Sequence, residues 1–104
     1  MTLTNGPEPY VPDVHPAIKT LIPGYLASRR QDLAKLDAGM ANSDFLALRK
    51  LGHNLKGSGG AYGLLPISQF GAEIEAAALA SDLDRIRAAA RALAAFLPRV
   101  VLPD

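Results

Sequence analysis

Residues 45–63 read Phe-Leu-Ala-Leu-Arg-Lys-Leu-Gly-His-Asn-Leu-Lys-Gly-Ser-Gly-Gly-Ala-Tyr-Gly, and the first part of this stretch sets the fold class. Its apolar and small residues recur at helical spacing, so that one face is continuous. The members of this face are Phe45, Leu48, Leu51, Gly52 and Leu55. The pattern predicts an amphipathic helix, capped by Asn42 or Ser43 with Asp44 in its first turn.

The residues before this helix predict two further helices and a tail. Residues 1–13 hold three prolines and little periodic apolar pattern, which indicates an extended proline-rich tail that lies against the domain or is mobile. A short helix is expected to end near Ile22, because Pro23 removes a hydrogen-bond donor. A longer helix should then run to about Ala38, with Gly39 as its stop.

The residues after the glycines predict two more helices. Pro66 suits the first position of a helix that ends near Ala80. Ser81 with Asp84 resembles a capping box for a last helix that reaches Pro98. Short connections between long helices predict an antiparallel arrangement. The expected fold is therefore all-α: an antiparallel up-down four-helix bundle over residues 14–104 with a short additional N-terminal helix.

Composition supports one helical domain and limits its function. Among the 104 residues, 18 Ala and 16 Leu stand against 5 Ile and 4 Val, which favours helix over sheet. The net charge of +1 argues against nucleic acid or an anionic membrane as the main partner. Without Cys there are no disulfides or thiolate metal sites. No apolar run is long enough to span a bilayer, and no signal peptide is recognisable, so a cytoplasmic location is expected. The chain is also expected to be a monomer.

The chemistry is concentrated around His53. At 100° per residue, His53 points about 140° away from the apolar face and should be exposed to solvent. Its neighbours one helical turn away are Arg49, Lys50, Lys56 and Gly57. A neutral imidazole has a nucleophilic ring nitrogen, and nearby cations can hold a phosphoryl group attached to it. Gly60 lies on the same face, which suggests a flat surface that another protein can approach.

Simpler interpretations exist for both features. Without the glycines, His53 would be an ordinary surface histidine in a basic helix. The glycines alone could simply end the helix and allow close packing. His15, beside Pro16, has no comparable cluster and is expected to be structural or neutral. A nucleotide-binding loop, a metal site and a serine triad are disfavoured, because the residue order and the spacing of acids and bases do not fit them.

The segment His53-Asn-Leu-Lys-Gly-Ser58, followed by Gly63-Leu64, resembles the signature of histidine-containing phosphotransfer (HPt) domains. The similarity in arrangement extends from about Ile18 to Phe96. HPt domains are helical bundles in which an exposed histidine accepts a phosphoryl group from a receiver-domain aspartyl phosphate and passes it to another receiver aspartate. The resemblance thus implies a phosphocarrier rather than an enzyme, with no cofactor or metal of its own.

The resemblance also implies roles for individual residues. His53 would be the phosphoacceptor through Nε2, Lys56 would stabilise the phosphoryl group, and Glu75 would orient His53 through Nδ1. Ser58 and Gly63 match structural positions of the motif, whereas Gly59 and Gly60 depart from its commonest form. The partner would be a response-regulator receiver domain or a hybrid histidine kinase, which would supply the metal and the aspartate. The expected docking residues are Leu46, Arg49, Lys50, Gly57 and Gly60, of which Leu46 lies only about 20° from His53 around the helix.

Two alternatives remain beside phosphotransfer. The first is a helical module that docks on a receiver or a histidine kinase without chemistry. The second is the dimerisation and phosphoacceptor domain of a histidine kinase, which is disfavoured because no acidic residue directly follows His53 and no Pro lies shortly beyond it.

Overall fold

Five α-helices make up most of residues 8–102, the part of the chain that the computed structural model describes. They are α1 (Pro16–Lys19), α2 (Ile22–Ala41), α3 (Phe45–Ser58), α4 (Leu65–Leu79) and α5 (Leu83–Phe96). Short 3₁₀ turns follow α3 at Gly59–Tyr62 and α5 at Leu97–Arg99. Between residues 8 and 102 no β-strand forms, so the predicted all-α bundle with one short extra helix is confirmed.

The start and the end of α2 differ from the sequence prediction. The short helix α1 ends at Lys19, and Ile22 already belongs to α2. Pro23 lies in the first turn of α2, where a backbone N–H has no partner within the helix. The missing N–H of proline therefore costs no helical hydrogen bond there. The prediction that Gly39 stops the helix is wrong, because α2 continues to Ala41. Gly39 is buried, and a Cβ there would lie 2.8 Å from a methyl carbon of Leu48.

The N-terminal cap of α3 is Asp44, whose side chain accepts a hydrogen bond from the Ala47 N–H at 3.1 Å. The prediction of Asn42 or Ser43 as the cap is therefore wrong. Ser43 instead adopts a positive φ of 49°, a conformation that turns the chain between α2 and α3. This turn leaves the next residue, Asp44, at the cap position.

The same arrangement recurs before α5. Asp82 is the cap, and its Oδ1 accepts from the Arg85 N–H at 3.1 Å. The predicted capping box of Ser81 with Asp84 is wrong, since Ser81 precedes the cap and has a positive φ of 54°. Asp84 lies in the first turn, where a negative charge suits the helix dipole.

Helices α3 and α4 approach each other most closely at two glycines. A Cβ on Gly52 would lie 2.5 Å from the backbone N of Glu75 and 2.8 Å from the carbonyl oxygen of Gly71. A Cβ on Gly71 would overlap the backbone N of Lys56. The two backbones are thus in direct contact, and this contact brings the exposed face of α3 beside Glu75.

The hydrophobic core lies between the four long helices. Its largest fully buried side chains come from all of them and from the residue before α4. They are Ile22, Leu36, Leu48, Leu55, Leu64, Ile67, Ile74, Ile86 and Leu93. No helix within residues 8–102 combines the length and the apolar character that crossing a membrane requires.

The described part of the N-terminal tail lies against the domain. The Tyr10 N–H donates to the Arg99 carbonyl at 2.8 Å, and the Val101 N–H donates to the Tyr10 carbonyl at 2.9 Å. The Tyr10 ring packs edge-on against Phe96, with 5.1 Å between the ring centroids. The other part of the predicted tail, residues 1–7, lies outside the described residues.

Candidate functional site

His53 lies on the outer face of α3 with 68% of its side chain exposed. Its Nδ1 is 2.9 Å from Oε2 of Glu75 on α4. This contact joins residues that are 22 positions apart in sequence, and it depends on the close approach of the two helices at Gly52 and Gly71. The structure therefore brings together the two residues that the family resemblance pairs.

Glu75 bridges His53 and Lys56. Its side chain is 17% exposed, and its Oε1 is 2.8 Å from Nζ of Lys56. The hydrogen bond from Lys56, followed by the one to His53, holds the pKa of Glu75 below its ordinary value of 4.5. At neutral pH the carboxylate is therefore ionised and accepts hydrogen bonds only.

The bridge determines which nitrogen of His53 carries the proton in the neutral ring. Because an ionised carboxylate cannot donate, Nδ1 of His53 is the donor in the contact with Glu75. The neutral imidazole then has its lone pair on Nε2, the nitrogen that points away from Glu75. A half-exposed lysine lies beside the same carboxylate. The arrangement thus combines an accessible nucleophilic nitrogen with a nearby cation.

An open cleft of about 480 Å³ lies next to His53. It is lined by Leu46, Arg49, Lys50, His53, Asn54 and Glu75. Leu46 is 61% exposed and adds an accessible apolar side chain to this lining. Asn54 is the lining residue that the sequence analysis did not identify. It follows His53 directly and lies about 100° from it around the helix.

The glycines after His53 separate into two groups. Gly57 and Gly60 are exposed, and a Cβ on Gly57 would meet no atom within 4 Å. Close packing therefore does not explain Gly57. Gly59 and Gly63 do have structural reasons, since a Cβ on Gly59 would lie 2.6 Å from the Ser68 N and Gly63 has a φ of +70°. For Gly57 the simpler interpretation is wrong in its appeal to close packing, whereas its place in the last turn of α3 agrees with a role at the helix end.

Ser58, which the sequence analysis gave only as a structural position of the motif, contacts α2. Its hydroxyl is 2.8 Å from the hydroxyl of Tyr25. The Tyr25 ring also stacks on Tyr62, with 4.0 Å between the centroids. The sequence analysis gave Tyr25 no role in the site, because no local signal connects residues that are 33 positions apart.

Two further residues complete the description. Leu79 is 62% exposed and follows Glu75 by four residues, so that both lie on the same side of α4. Sequence reasoning missed it, although this spacing could have indicated it. His15 lies apart from these residues at the start of α1, where its Nδ1 accepts from the Ala17 N–H at 3.0 Å. Residues 8–102 contain no group of three or more potential metal ligands.

Comparison with known proteins gives one match. The family model described as the Hpt domain matches residues 21–100, which include the whole of the four long helices α2 to α5. Searches of curated proteins and of solved structures gave no significant match.

Proposed function

This chain belongs to the Hpt domain family, whose members carry phosphoryl groups on histidine in two-component signalling, and on that premise we propose that His53 is its phosphoacceptor. Hpt domains are phosphocarrier modules rather than classical enzymes, and they interact with receiver domains and kinases. In the proposed relay, His53 takes a phosphoryl group from a receiver aspartyl phosphate and passes it to the aspartate of another receiver.

The observation that carries this proposal is the contact between Nδ1 of His53 and Glu75 at 2.9 Å, with the ring itself 68% exposed. A carboxylate behind the ring fixes its orientation and directs the Nε2 lone pair outward. The other histidine, His15, uses its Nδ1 as the acceptor of a backbone hydrogen bond and has no such carboxylate contact among residues 8–102.

In the transfer step this chain would supply the nucleophilic nitrogen, and the receiver would supply the aspartyl phosphate and the metal. The Nε2 lone pair of His53 attacks the phosphorus, an N–P bond forms, and the P–O bond to the receiver aspartate breaks. The electron pair of that bond leaves with the aspartate as a carboxylate. The imidazole ring becomes positively charged while Nδ1 keeps its proton, and the ionised Glu75 stabilises this charge. The reverse step delivers the phosphoryl group to the next receiver.

The cations around His53 have a role in docking and in holding the phosphoryl group. Arg49 and Lys50 line the cleft, and their charges favour approach of an acidic receiver site. Lys56 is half exposed and close to the ring, so that it can contact oxygens of a phosphoryl group on Nε2. Leu46, Gly57 and Gly60 add a partly apolar, unobstructed surface for the receiver.

Phosphotransfer to substituted proteins tests this assignment. A receiver domain phosphorylated on its aspartate is incubated with wild type, His53→Gln and His15→Gln, after the receivers of the same organism have been compared for transfer. Wild type and His15→Gln should gain an acid-labile phosphoryl group, whereas His53→Gln should gain none.

Two outcomes would contradict the proposal. Labelling retained in His53→Gln would exclude this histidine as the acceptor. Receiver binding and signalling output that are unchanged in His53→Gln would instead favour the docking module without chemistry.

A further inference from the structure

The segment from Gly57 to Gly63, which we call the glycine segment, has a sequence with little intrinsic preference for a regular structure. Four of its seven residues are glycine, the residue with the poorest helix propensity apart from proline. Yet it carries Gly57 and Gly60, two residues of the proposed docking face. A fixed shape here therefore has to come from contacts with the rest of the molecule.

Tyr25 of α2 supplies one set of these contacts. Its hydroxyl is 2.8 Å from Oγ of Ser58, at the start of the segment. Its ring stacks on Tyr62 near the other end, with an angle of 19° between the ring planes. The guanidinium of Arg29 lies over the Tyr25 ring at 4.6 Å. One buried side chain thus contacts both ends of the glycine segment.

Val14 supplies a second contact from outside the family match. Gly63 has a positive φ, and a Cβ there would overlap Cγ1 of Val14 and lie 3.2 Å from Cβ of Pro12. Pro12 is itself buried. The Hpt match covers residues 21–100, so Pro12 and Val14 lie outside the matched range.

We propose that Tyr25 and Val14 are positioning residues that hold the glycine segment as a preformed docking surface for the receiver. The proposal rests on the proposed phosphotransfer function. A surface that is already ordered does not have to lose conformational freedom when the receiver binds, and this strengthens docking. Neither residue touches the reacting nitrogen, so the chemical step itself should not depend on them.

Tyr25→Phe tests the first contact, because it removes the hydroxyl and keeps the ring that stacks on Tyr62. Tyr10→Phe is the matched control, since it makes the same change in a ring that packs against Phe96. Hydrogen exchange at the amides of residues 58–63 should become about 2- to 10-fold faster in Tyr25→Phe, the factor expected for one net hydrogen bond. Exchange at buried amides of α5 should not change.

Transfer kinetics provide the readout that a purely structural role would not give. The receiver concentration for half-maximal transfer to Tyr25→Phe should rise by about the same 2- to 10-fold, while the limiting rate stays at the wild-type value. Val14→Ala should change both measurements in the same direction, and Tyr10→Phe should change neither.

Three outcomes would overturn the inference: unchanged exchange in residues 58–63, faster exchange that is uniform across all helices, or a local increase with no change in half-maximal concentration. Failure of the proposed function is distinguishable. In that case the wild-type protein accepts no phosphoryl group. The dissociation constant for the receiver is then measured instead of the half-maximal concentration, and the same ratios of variant to wild type are expected.

Discussion

Replacing Gly71 by alanine should separate α3 from α4 and destabilise the protein. The added Cβ would overlap the Lys56 backbone nitrogen and lie 2.7 Å from the Gly52 carbonyl oxygen, whereas ordinary contacts of a Cβ are 3.4–4 Å. The obstructing atoms belong to a helix backbone and cannot rotate away. Overpacking of this kind costs about 3 kcal/mol at the upper end of its usual range. Alanine returns about 1 kcal/mol through its better helix propensity. The expected net loss is about 2 kcal/mol.

Gly57→Ala is the matched control, because it makes the same substitution on the exposed side of α3. A Cβ there would meet no atom within 4 Å, so only the gain in helix propensity remains. This variant should be more stable than wild type by about 0.5–1 kcal/mol.

Thermal and urea unfolding of the two variants provide the assay. For a domain of this size, 1 kcal/mol corresponds to about 4–8 °C in Tm. Gly71→Ala should therefore melt about 8–16 °C below wild type, and Gly57→Ala about 2–8 °C above it. Equal melting temperatures for Gly71→Ala and wild type, or a loss of stability in Gly57→Ala as large as in Gly71→Ala, would refute the argument from the helix contact.

Two other predictions concern charge and capping. The pKa of Glu75 is lower in the folded protein than the ordinary value of 4.5. The ionised Glu75 therefore makes its full contribution to stability above pH 4.5, and this contribution is lost as the pH falls through the lowered pKa of the folded state. The difference in urea-unfolding stability between wild type and Glu75→Gln should thus shrink between pH 5 and pH 3, and a constant difference would contradict the ion pairs. Asp82→Ala should lower the free energy of unfolding by about 1 kcal/mol, because α5 loses its cap. Ser81→Gly should raise it by about a few tenths of a kcal/mol, since glycine adopts the positive φ freely. Thermal unfolding measures both variants, and a larger loss in Ser81→Gly than in Asp82→Ala would indicate that Ser81 is the cap.

The sequence predicts the helices of this fold well because their signals are local. The stripe from Phe45 to Leu55 recurs at the helical period, and the structure buries Leu48, Gly52 and Leu55. The caps were harder to predict. Ser43 and Ser81 are good cap residues by type, but each adopts a left-handed conformation and passes the cap position to the aspartate that follows. Residue type alone does not distinguish these two arrangements.

Contacts between distant segments explain the remaining differences. Gly39 is a residue type that often ends helices, but here it lies inside α2 and leaves the space in which Leu48 packs. Gly71 carries no signal of its own, because its importance depends on which residue of α3 it faces. The pairing of Glu75 with His53 came from the family resemblance, because no local signal connects residues that are 22 positions apart.

The position of Glu75 between two cations bears on how a phosphoryl group would be held. In the structure Lys56 is paired with Glu75 Oε1 at 2.8 Å, while His53 uses Oε2. On the proposed mechanism, a phosphoryl group on Nε2 adds negative charge on the solvent side of the ring, and the ring itself becomes positive. Glu75 then binds the charged ring more strongly, whereas Lys56 has a second anion within reach and can turn toward it. On the proposed mechanism the two anions therefore compete for the Lys56 side chain, which can pass from Glu75 to the phosphoryl group by rotation about its own bonds.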